Sequence, residues 1–299
     1  MRKALIVGGT GFVGAHLQRL MLREFAVTAT GHESDIRDRD QMRDLVTRIE
    51  PDVVMNLASI TTVRESFASA DGTYRIGFLG TLNLLIALRE SGFKGRMLNV
   101  SSSEIYGHPQ GTELPLTEKS LVRPMSPYAV SKSATEQLCY QWSQSEQFEI
   151  ITARPFTHIG PGQSDRFAIS NFSKQIAEIM LGRRQPIILV GNLETTRDLT
   201  DVRDVAGAYR ILLTKGRNGE VYNVCSGKEV SMGAVLGQLI ERAKIDIRIK
   251  KDKSLVRDAE QRRLCGSYSK LNKETGWEPR VPLEKTLEDT VSQWLEQIK

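Results

Sequence analysis

The feature that most constrains the fold is a glycine-rich turn that begins at residue 8 and follows a short apolar run. Residues 3–7 predict a strand that is buried on both faces. Gly8, Gly11 and Gly14 then give the spacing G-x-x-G-x-x-G at the start of a helix. Glycine lets the backbone turn tightly and approach a pyrophosphate, and the helix N-terminus favours anions. Glycines alone could serve a purely steric purpose, but their place between a strand and a helix predicts a dinucleotide site.

Strands and helices alternate along the first half of the chain. Further strands are predicted at 25–29, 53–55, 96–100 and 149–153, and helices at 40–49, 81–89 and 128–141. This alternation predicts an α/β fold of the Rossmann type, in which a doubly wound parallel sheet carries helices on both faces.

The pattern becomes less regular after residue 160. Helices are predicted at about 168–181, 202–213 and 231–243 and near the C-terminus, with short strands at 187–190 and 221–224. We therefore predict a dinucleotide-binding domain over 1–160 and a smaller C-terminal substrate-binding lobe over 161–299. No Gly/Ser/Pro linker separates them, so the two are expected to pack as one unit.

Composition narrows the possible partners. The 299 residues carry a net charge of +5, with lysines and arginines scattered among acids. A nucleic-acid partner is therefore not expected, whereas a diphosphate-bearing substrate suits the modest positive balance. Cys139, Cys225 and Cys265 are odd in number and far apart, so we predict no disulfide framework, no metal site and a cytoplasmic location. No apolar run reaches the length of about 18 residues that a membrane span needs.

A tyrosine and a lysine form the candidate catalytic pair. Tyr128 and Lys132 lie one helical turn apart, which places them on the same face. The lysine cation is expected to lower the pKa of the tyrosine, which can then exchange a proton at a carbonyl or alcohol while a nicotinamide moves hydride. This spacing is common by chance, but here it follows the fourth predicted strand. That strand ends at Val100-Ser101-Ser102, where Ser102 can hydrogen-bond the reacting oxygen.

The residues after the second strand leave the choice of cofactor open. An acid there binds the ribose of NAD, and an arginine suits the 2′-phosphate of NADP. Thr30-Gly31-His32 provides neither, and Arg37 and Arg39 lie nearby. The prediction is NADPH or NADH, with NADPH slightly favoured by the missing acid.

Together these motifs resemble the extended short-chain dehydrogenase/reductase family of sugar-nucleotide enzymes over nearly the whole chain. The resemblance implies that Ser102, Tyr128 and Lys132 form the catalytic triad. It also implies a set of cofactor-binding residues: Gly8, Thr10, Gly11, Phe12, Val13, Gly14, Asp35, Ile36, Leu57, Ala58, Ser59, Val100, Tyr128, Lys132, Arg154 and Phe156.

Motifs in the second half resemble the GDP-sugar branch of this family. They are RPFTHIGPGQ at 154–163, GNLETTRD at 191–198, VYNVCSG at 221–227 and RDAE at 257–260. The resemblance implies a GDP-sugar substrate, because arginine forks suit phosphates and carboxylates suit ribose hydroxyls. The implied substrate-binding residues are Ser103, Glu104, Thr157, Arg197, Arg257 and Glu260.

Two activities of the branch compete, and a third class remains open. One is reduction of the C4 ketone of GDP-4-dehydro-6-deoxy-D-mannose to GDP-D-rhamnose, which the compact length and the motif at 157–163 favour. The other is GDP-mannose 4,6-dehydration, or another epimerase or dehydratase reaction, since SSSEIYG at 101–107 resembles a dehydratase motif with Glu104 as the base. A catalytically idle sensor would not need the intact triad.

The resemblance also implies a homodimer and exposes two departures from the family pattern. Family members often dimerise through the helix that carries Tyr128 and the one around 72–90. The family usually has asparagine where this chain has Gly77, and again where it has Thr157. The proton relay to Lys132 and the sugar contact at Thr157 are therefore left open.

Overall fold

The computed structural model describes residues 1–60, 62–255 and 263–299, and its elements alternate as predicted over the first half of the chain. The strands are β1 (Arg2–Val7), β2 (Phe25–Ala29), β3 (Val53–Asn56), β4 (Arg96–Val100), β5 (Glu149–Pro155), β6 (Thr157–Ile159), β7 (Ile187–Val190), β8 (Thr196–Asp201), β9 (Val221–Val224), β10 (Glu229–Ser231) and β11 (Arg248–Lys251). The helices are α1 (Phe12–Met21), α2 (Arg39–Ile49), α3 (Val63–Ala68), α4 (Ala70–Tyr74), α5 (Gly80–Glu90), α6 (Pro127–Ser145), α7 (Ala168–Met180), α8 (Val202–Lys215), α9 (Met232–Ala243), α10 (Ser269–Thr275) and α11 (Leu283–Ile298).

A parallel sheet forms the centre of the molecule. Its strand order is β2-β1-β3-β4-β5-β9, and each neighbouring pair runs parallel. Alternate residues of β1 face opposite sides: Ala4 and Ile6 pack with α1 and α8, and Leu5 and Val7 pack with α2 and α5. Because both faces of the sheet are covered, its strands read as nearly continuous apolar runs. The predicted α/β fold of the Rossmann type is confirmed.

A smaller body of structure packs around a separate core. Strands β10, β8 and β6 form one small sheet, and β11 pairs with β7 in another. Helices α7, α9 and α11 supply most of the apolar side chains of this core, including Phe172, Leu236 and Leu287. Within the described ranges, no helix is both long and apolar enough to cross a bilayer.

The chain passes between the two bodies more than once. After β5 it enters the small body, and it then returns with α8 and β9 to complete the central sheet. Val205, Tyr209 and Leu212 of α8 are buried in the same core as β1 and β3. The predicted domain boundary at residue 160 stays a prediction. Segments after it, α8 and β9, belong to the central sheet and its core.

The carboxylate of Asp198 joins these segments. It accepts hydrogen bonds from the Ser226 amide (2.7 Å) and hydroxyl (2.6 Å), and from the amides of Gly227 (2.9 Å) and Gly266 (3.1 Å). Asp198 lies on β8 and is fully buried, whereas Ser226 and Gly227 follow β9 of the central sheet. Burial raises the pKa of this carboxyl, and the four hydrogen bonds oppose that rise.

We expect Asp198→Ala to lower the free energy of unfolding by about 3 kcal/mol or more, because it leaves three backbone N–H groups without their acceptor. The measurement is urea unfolding followed by circular dichroism. Asp252→Ala is the matched control, since Asp252 accepts from the amide and hydroxyl of Ser254 at the surface. Equal losses in the two variants would contradict a linking role for Asp198.

Candidate active site

The glycine turn forms a backbone cradle at the end of β1. Gly8 has a φ of +75°, and a Cβ there would lie 2.8 Å from the Ala58 amide nitrogen. A Cβ at Gly14 would lie 2.0 Å from the carbonyl oxygen of Gly9. Helix α1 starts beyond Gly11, where no side chain caps its first N–H groups. The cradle therefore fits a dinucleotide pyrophosphate, which needs close backbone approach and free helix N–H donors.

The residues after β3 form the wall beside this cradle. The Leu57 amide donates to Val7 O (2.8 Å), and the Ala58 amide donates to Asn56 Oδ1 (3.2 Å). The Asn56 amide group in turn donates to Thr81 Oγ1 on α5 (2.9 Å). The structure thus brings Leu57 and Ala58, predicted from sequence, against the predicted glycines.

Ser102 and Tyr128 meet at the carboxyl end of β4. Ser102 follows this strand and accepts a hydrogen bond from the Glu104 amide (3.2 Å) at the start of a short 3₁₀ helix, Ser103–Tyr106. Tyr128 stands at the start of α6, where Ser126 caps the helix through the Ala129 amide (3.1 Å). The side chains of Ser102 and Tyr128 are hydrogen-bonded to each other.

Lys132 lies beneath this pair. Its Nζ donates to Val100 O (2.7 Å) and lies 5.8 Å from the centre of the Tyr128 ring. The Lys132 side chain is almost fully buried, and this burial lowers its pKa to about 8. Cys139 and Glu136 act in the opposite direction and raise the pKa, but burial has the larger effect.

The pKa of Tyr128 moves opposite to the direction predicted from sequence. Part of the residue remains exposed, yet desolvation raises the pKa to about 12. The hydrogen bond from Ser102 opposes this rise, and the charge of Glu104 adds to it. The prediction of a lowered pKa is therefore wrong for this structure, because burial outweighs any lowering of the pKa by Lys132, whose Nζ lies 5.8 Å from the ring centre. At neutral pH Tyr128 holds its proton and can act as a donor.

Arg154 connects three of the elements that carry the site. It forms an ion pair with Glu136 of α6 (Nη2 to Oε2, 2.6 Å) and donates to the Tyr106 hydroxyl (2.9 Å). That hydroxyl donates to Asn223 Oδ1 on β9 (2.7 Å). Arg154 and Glu136 are both nearly inaccessible to solvent. The guanidinium thus positions β5 against the catalytic helix.

Three of the predicted cofactor-binding residues have buried side chains that make contacts within the protein interior. The Arg154 fork is held by Glu136, and Ile36 belongs to the core beneath α2 and α5. Phe156 packs against Gly266 and Tyr106. A cofactor contact at these positions would have to use the backbone.

The motif after β5 reaches back to the glycine turn. The His158 ring stacks on Phe12, with centroids 6.1 Å apart, and Phe12 meets His16 edge-on at 5.8 Å. His16 Nε2 lies 2.8 Å from Pro161 O. Phe12 is a predicted cofactor residue, and its ring connects α1 to the segment expected to meet nicotinamide and sugar.

The remaining predicted cofactor residues lie around the cradle. Asp35 is paired with Arg37, and the Ser59 hydroxyl donates to the Ile60 carbonyl (3.0 Å). Val13, on α1, packs against the central core. Thr10 is exposed at the turn, close to Gly31.

The predicted substrate residues fall into two groups. Ser103 is buried beside Ser102, and the charge of Glu104 acts on Tyr128, so both lie at the catalytic end of β4. Thr157 and Arg197 are half-buried on β6 and β8 of the small body. Arg257 and Glu260 lie outside the described residues.

The structure explains the departure at Gly77. This residue sits in a π-helix, Arg75–Leu79, and a Cβ there would lie 2.2 Å from the Ser131 hydroxyl oxygen. Ser131 fills the space and precedes Lys132 on α6. A side chain at residue 77 is therefore excluded unless Ser131 moves.

Sequence reasoning missed two acids that the fold brings to the site. Glu136 lies one turn beyond Lys132 on α6, and that spacing was a signal that could have identified it. Glu33 lies in the loop after β2, where its carboxylate accepts from the Gly31 amide (2.6 Å). No regular pattern marks such a loop contact.

Fold and site together define an α/β protein with a dinucleotide cradle beside a Ser–Tyr–Lys group. Comparison with protein-family models gives a match to GDP-mannose 4,6 dehydratase over residues 26–290. The chain belongs to this family, which confirms the resemblance found in the sequence.

Relatives of this chain include both a reductase and a dehydratase. The GDP-6-deoxy-D-mannose reductase of Pseudomonas aeruginosa is 39% identical, over 100% of this chain and 99% of the relative. The GDP-mannose 4,6-dehydratase of Yersinia enterocolitica is 26% identical, over 100% of this chain and 95% of the relative. The solved structure of RMD from Pseudomonas aeruginosa complexed with NADPH has a TM-score of 0.93 and 40% identity, and 99% of each chain is covered.

Burial of Lys132 predicts a pH-dependent stability. Its folded pKa of about 8 lies below the ordinary value of 10.5, so between these values the unfolded chain binds the proton and the folded chain does not. Stability relative to Lys132→Met should therefore rise with pH across this window, by up to about 3 kcal/mol. Urea unfolding of the ligand-free protein at pH 7.5 to 10.5 measures this difference in the free energy of unfolding. The control is Lys94→Met, at an exposed lysine. A difference between wild type and Lys132→Met that does not change with pH would contradict the prediction.

Proposed function

We propose that this protein is an NAD(P)H-dependent reductase that converts the C4 ketone of GDP-4-dehydro-6-deoxy-D-mannose to an alcohol, giving GDP-D-rhamnose. The observation that carries the proposal is the hydrogen-bonded Ser102–Tyr128 pair, with a protonated tyrosine, at the carboxyl end of β4. Full-length similarity to the GDP-6-deoxy-D-mannose reductase of Pseudomonas aeruginosa supports the substrate.

Each catalytic side chain has a distinct task. When bound, the reduced nicotinamide supplies the hydride that the C4 carbon accepts. Tyr128 gives its proton to the former ketone oxygen, and Ser102 orients that oxygen by a hydrogen bond. Hydride and proton together complete the reduction to the alcohol.

Lys132 prepares Tyr128 for the transfer. Its Nζ is 5.8 Å from the ring centre, so the ammonium favours the tyrosinate that remains once the proton has left. The Val100 carbonyl accepts a hydrogen bond from the lysine, and the charge of the buried Glu136 favours its ammonium form. The site thus keeps Tyr128 protonated beforehand and stabilises its charge afterwards.

The cofactor and the GDP-sugar would occupy neighbouring regions. Gly8, Gly11 and Gly14 would hold the pyrophosphate of the dinucleotide, with Leu57, Ala58 and Ser59 along its side. Ser103, Glu104 and Thr157 would contact the hexose. Arg197, with Arg257 and Glu260 beyond the described residues, would hold the GDP moiety.

Dehydration of GDP-mannose is the second candidate. The charge of Glu104 acts on Tyr128, so a carboxylate stands where a base would remove the C5 proton. The family match and the Yersinia enterocolitica relative support it too. This reaction would consume no net cofactor, which separates it from reduction.

For a reductase, NAD(P)H absorbance at 340 nm should fall only when GDP-4-dehydro-6-deoxy-D-mannose is present. Tyr128→Phe should reduce the rate about 100- to 10,000-fold, because it removes the proton donor. Tyr140→Phe on the same helix is the control and should keep the wild-type rate.

The converse result would assign the dehydratase. In that case the absorbance of NAD(P)H at 340 nm would not fall when the keto-sugar is added. The protein would instead form the keto-sugar from GDP-mannose without added NAD(P)H. Glu104→Gln should then abolish turnover of GDP-mannose.

We extend the proposal to a homodimer. Large apolar side chains are exposed along the helices that precede and include α6: Phe67, Tyr74, Leu79, Val130 and Tyr140. Helices α3, α4 and α6 pack side by side, so these side chains lie on one continuous helical region. A second copy of the same region would bury them, as a symmetric dimer does.

Leu79→Glu combined with Tyr140→Glu should convert the dimer to a monomer, because each copy would bury two unpaired charges. Sedimentation velocity measures the change. Leu22→Glu, at a residue 60% exposed beyond the end of α1, is the control and should stay dimeric. A monomeric wild-type protein would refute the dimer.

We also propose a cytoplasmic location. The three cysteines are buried and free, as suits a reducing compartment. Free thiols after purification without reductant, counted with a thiol reagent under denaturing conditions, should number three; a disulfide would argue against this location.

A further inference from the structure

Much of the net positive charge of this protein lies in one short segment of the small body. Residues 242–251 contain five basic residues and one acid, a net charge of +4, whereas the whole chain of 299 residues carries +5. The segment runs from the end of α9 through the following turn to the end of β11. All five basic residues are exposed: Arg242, Lys244, Arg248, Lys250 and Lys251. A positive field is therefore directed outward from this corner of the molecule.

Most of these cations have no acid that pairs with them. Arg242 Nη1 lies 3.8 Å from Glu288 Oε2, a pair that is exposed and therefore weak. Within the described part of the chain, Lys244 and the three basic residues of β11 form no ion pair. The Asp252 carboxylate interacts with the charge of Lys250, but it accepts its hydrogen bonds from the amide and hydroxyl of Ser254. The segment thus keeps its charge available to a partner.

Strand β11 lies at an open edge. Among the described residues it pairs only with β7, in a parallel register that sets Arg248 opposite Ile187 and Lys251 opposite Val190. Successive side chains of a strand point to opposite faces, and the long stems of lysine and arginine reach past the edge from either face. The basic residues of β11 therefore flank one exposed rim.

Apolar side chains lie singly among these cations. Ile249, between Arg248 and Lys250, is 50% exposed, and Ile245, next to Lys244, is 36% exposed. Interfaces between proteins have an apolar core from which lysine is depleted, so this mixture fits them poorly. It fits the boundary zone of a bilayer, where headgroup phosphates meet the cations and apolar side chains reach the start of the acyl chains.

We propose that residues 242–251 form a docking surface for an anionic lipid bilayer. The five basic side chains lie at the headgroups, and Ile245 and Ile249 enter the boundary with the acyl chains. Attraction by a few cations gives a reversible contact that salt weakens. Ser102, Tyr128 and Lys132 lie outside this segment, so the surface locates the enzyme without taking part in its chemistry.

The test is co-sedimentation of the full chain with vesicles of phosphatidylcholine that contain about one-third phosphatidylglycerol, in about 0.1 M salt. Wild-type protein should bind these vesicles and should not measurably bind vesicles of phosphatidylcholine alone. Salt at about 1 M should release it, because the screening length falls to about 3 Å. The triple variant Arg248→Gln/Lys250→Gln/Lys251→Gln should lower the partition coefficient about 100-fold, or about fivefold for each cation removed.

The matched control removes the same charge at exposed positions outside the segment. It is Arg23→Gln/Lys94→Gln/Lys273→Gln, which should keep the wild-type partition coefficient. Ile249→Ser tests the apolar contribution and should weaken binding several-fold while leaving its salt dependence unchanged. Melting temperatures of all variants show that the fold is retained.

Failure of the wild type to bind anionic vesicles would overturn the proposal. So would equal losses in the two triple variants, because net charge rather than this surface would then govern binding. Binding to polyglutamate in place of vesicles would overturn it in favour of an acidic protein partner. Self-association of the β11 variant, without vesicle binding by the wild type, would overturn it in favour of cations that only prevent pairing at the strand edge. None of these outcomes bears on NAD(P)H-dependent turnover, so the proposed function is tested separately.

Discussion

The buried ion pair between Arg154 and Glu136 is the interaction on which the geometry of the site depends. One guanidinium joins β5, the catalytic helix α6 and the Tyr106 hydroxyl, four residues beyond Ser102. The pair is nearly free of solvent, so loss of one partner would leave an uncompensated charge at a cost of about 3–5 kcal/mol. Because Glu136 lies one turn after Lys132, the same contact orients the face of α6 that carries the catalytic pair. The chemistry thus rests on an arginine that does not itself meet the reacting atoms.

Much of the architecture could be predicted from the sequence, because its dominant signals are local. The strands at 25–29, 96–100, 187–190 and 221–224 begin and end at the predicted residues. Continuous apolar runs bounded by glycine or polar turns specify strands buried on both faces. The glycine turn and the Tyr128–Lys132 spacing are local patterns as well, and the fold brings them together at one sheet edge. Side-chain exposure along a helix is harder to predict from sequence: Leu20, an apolar residue of α1, is 36% exposed.

The features that were missed depend on contacts distant in sequence or on loop geometry. Strand β11 is exposed along its whole length, and only its pairing with β7 makes it a strand. The raised pKa of Tyr128 follows from burial and from the charge of Glu104, neither of which is encoded in the spacing of Tyr128 and Lys132. The folding back of Glu33 depends on a turn at Gly31. Such outcomes are set by the assembled structure rather than by any single segment.

The return of the chain to the central sheet also has a consequence during synthesis. The first 160 residues leave the ribosome with β5 as an open sheet edge and without α8, whose Val205, Tyr209 and Leu212 cover one face. That nascent segment exposes an apolar face and a row of free backbone groups, which are the features that invite aggregation. Both are satisfied only once residue 224 has emerged. The nascent chain must therefore remain protected while residues 161–224 are being added, and proteolytic cleavage between the two bodies would not release a self-sufficient nucleotide-binding unit.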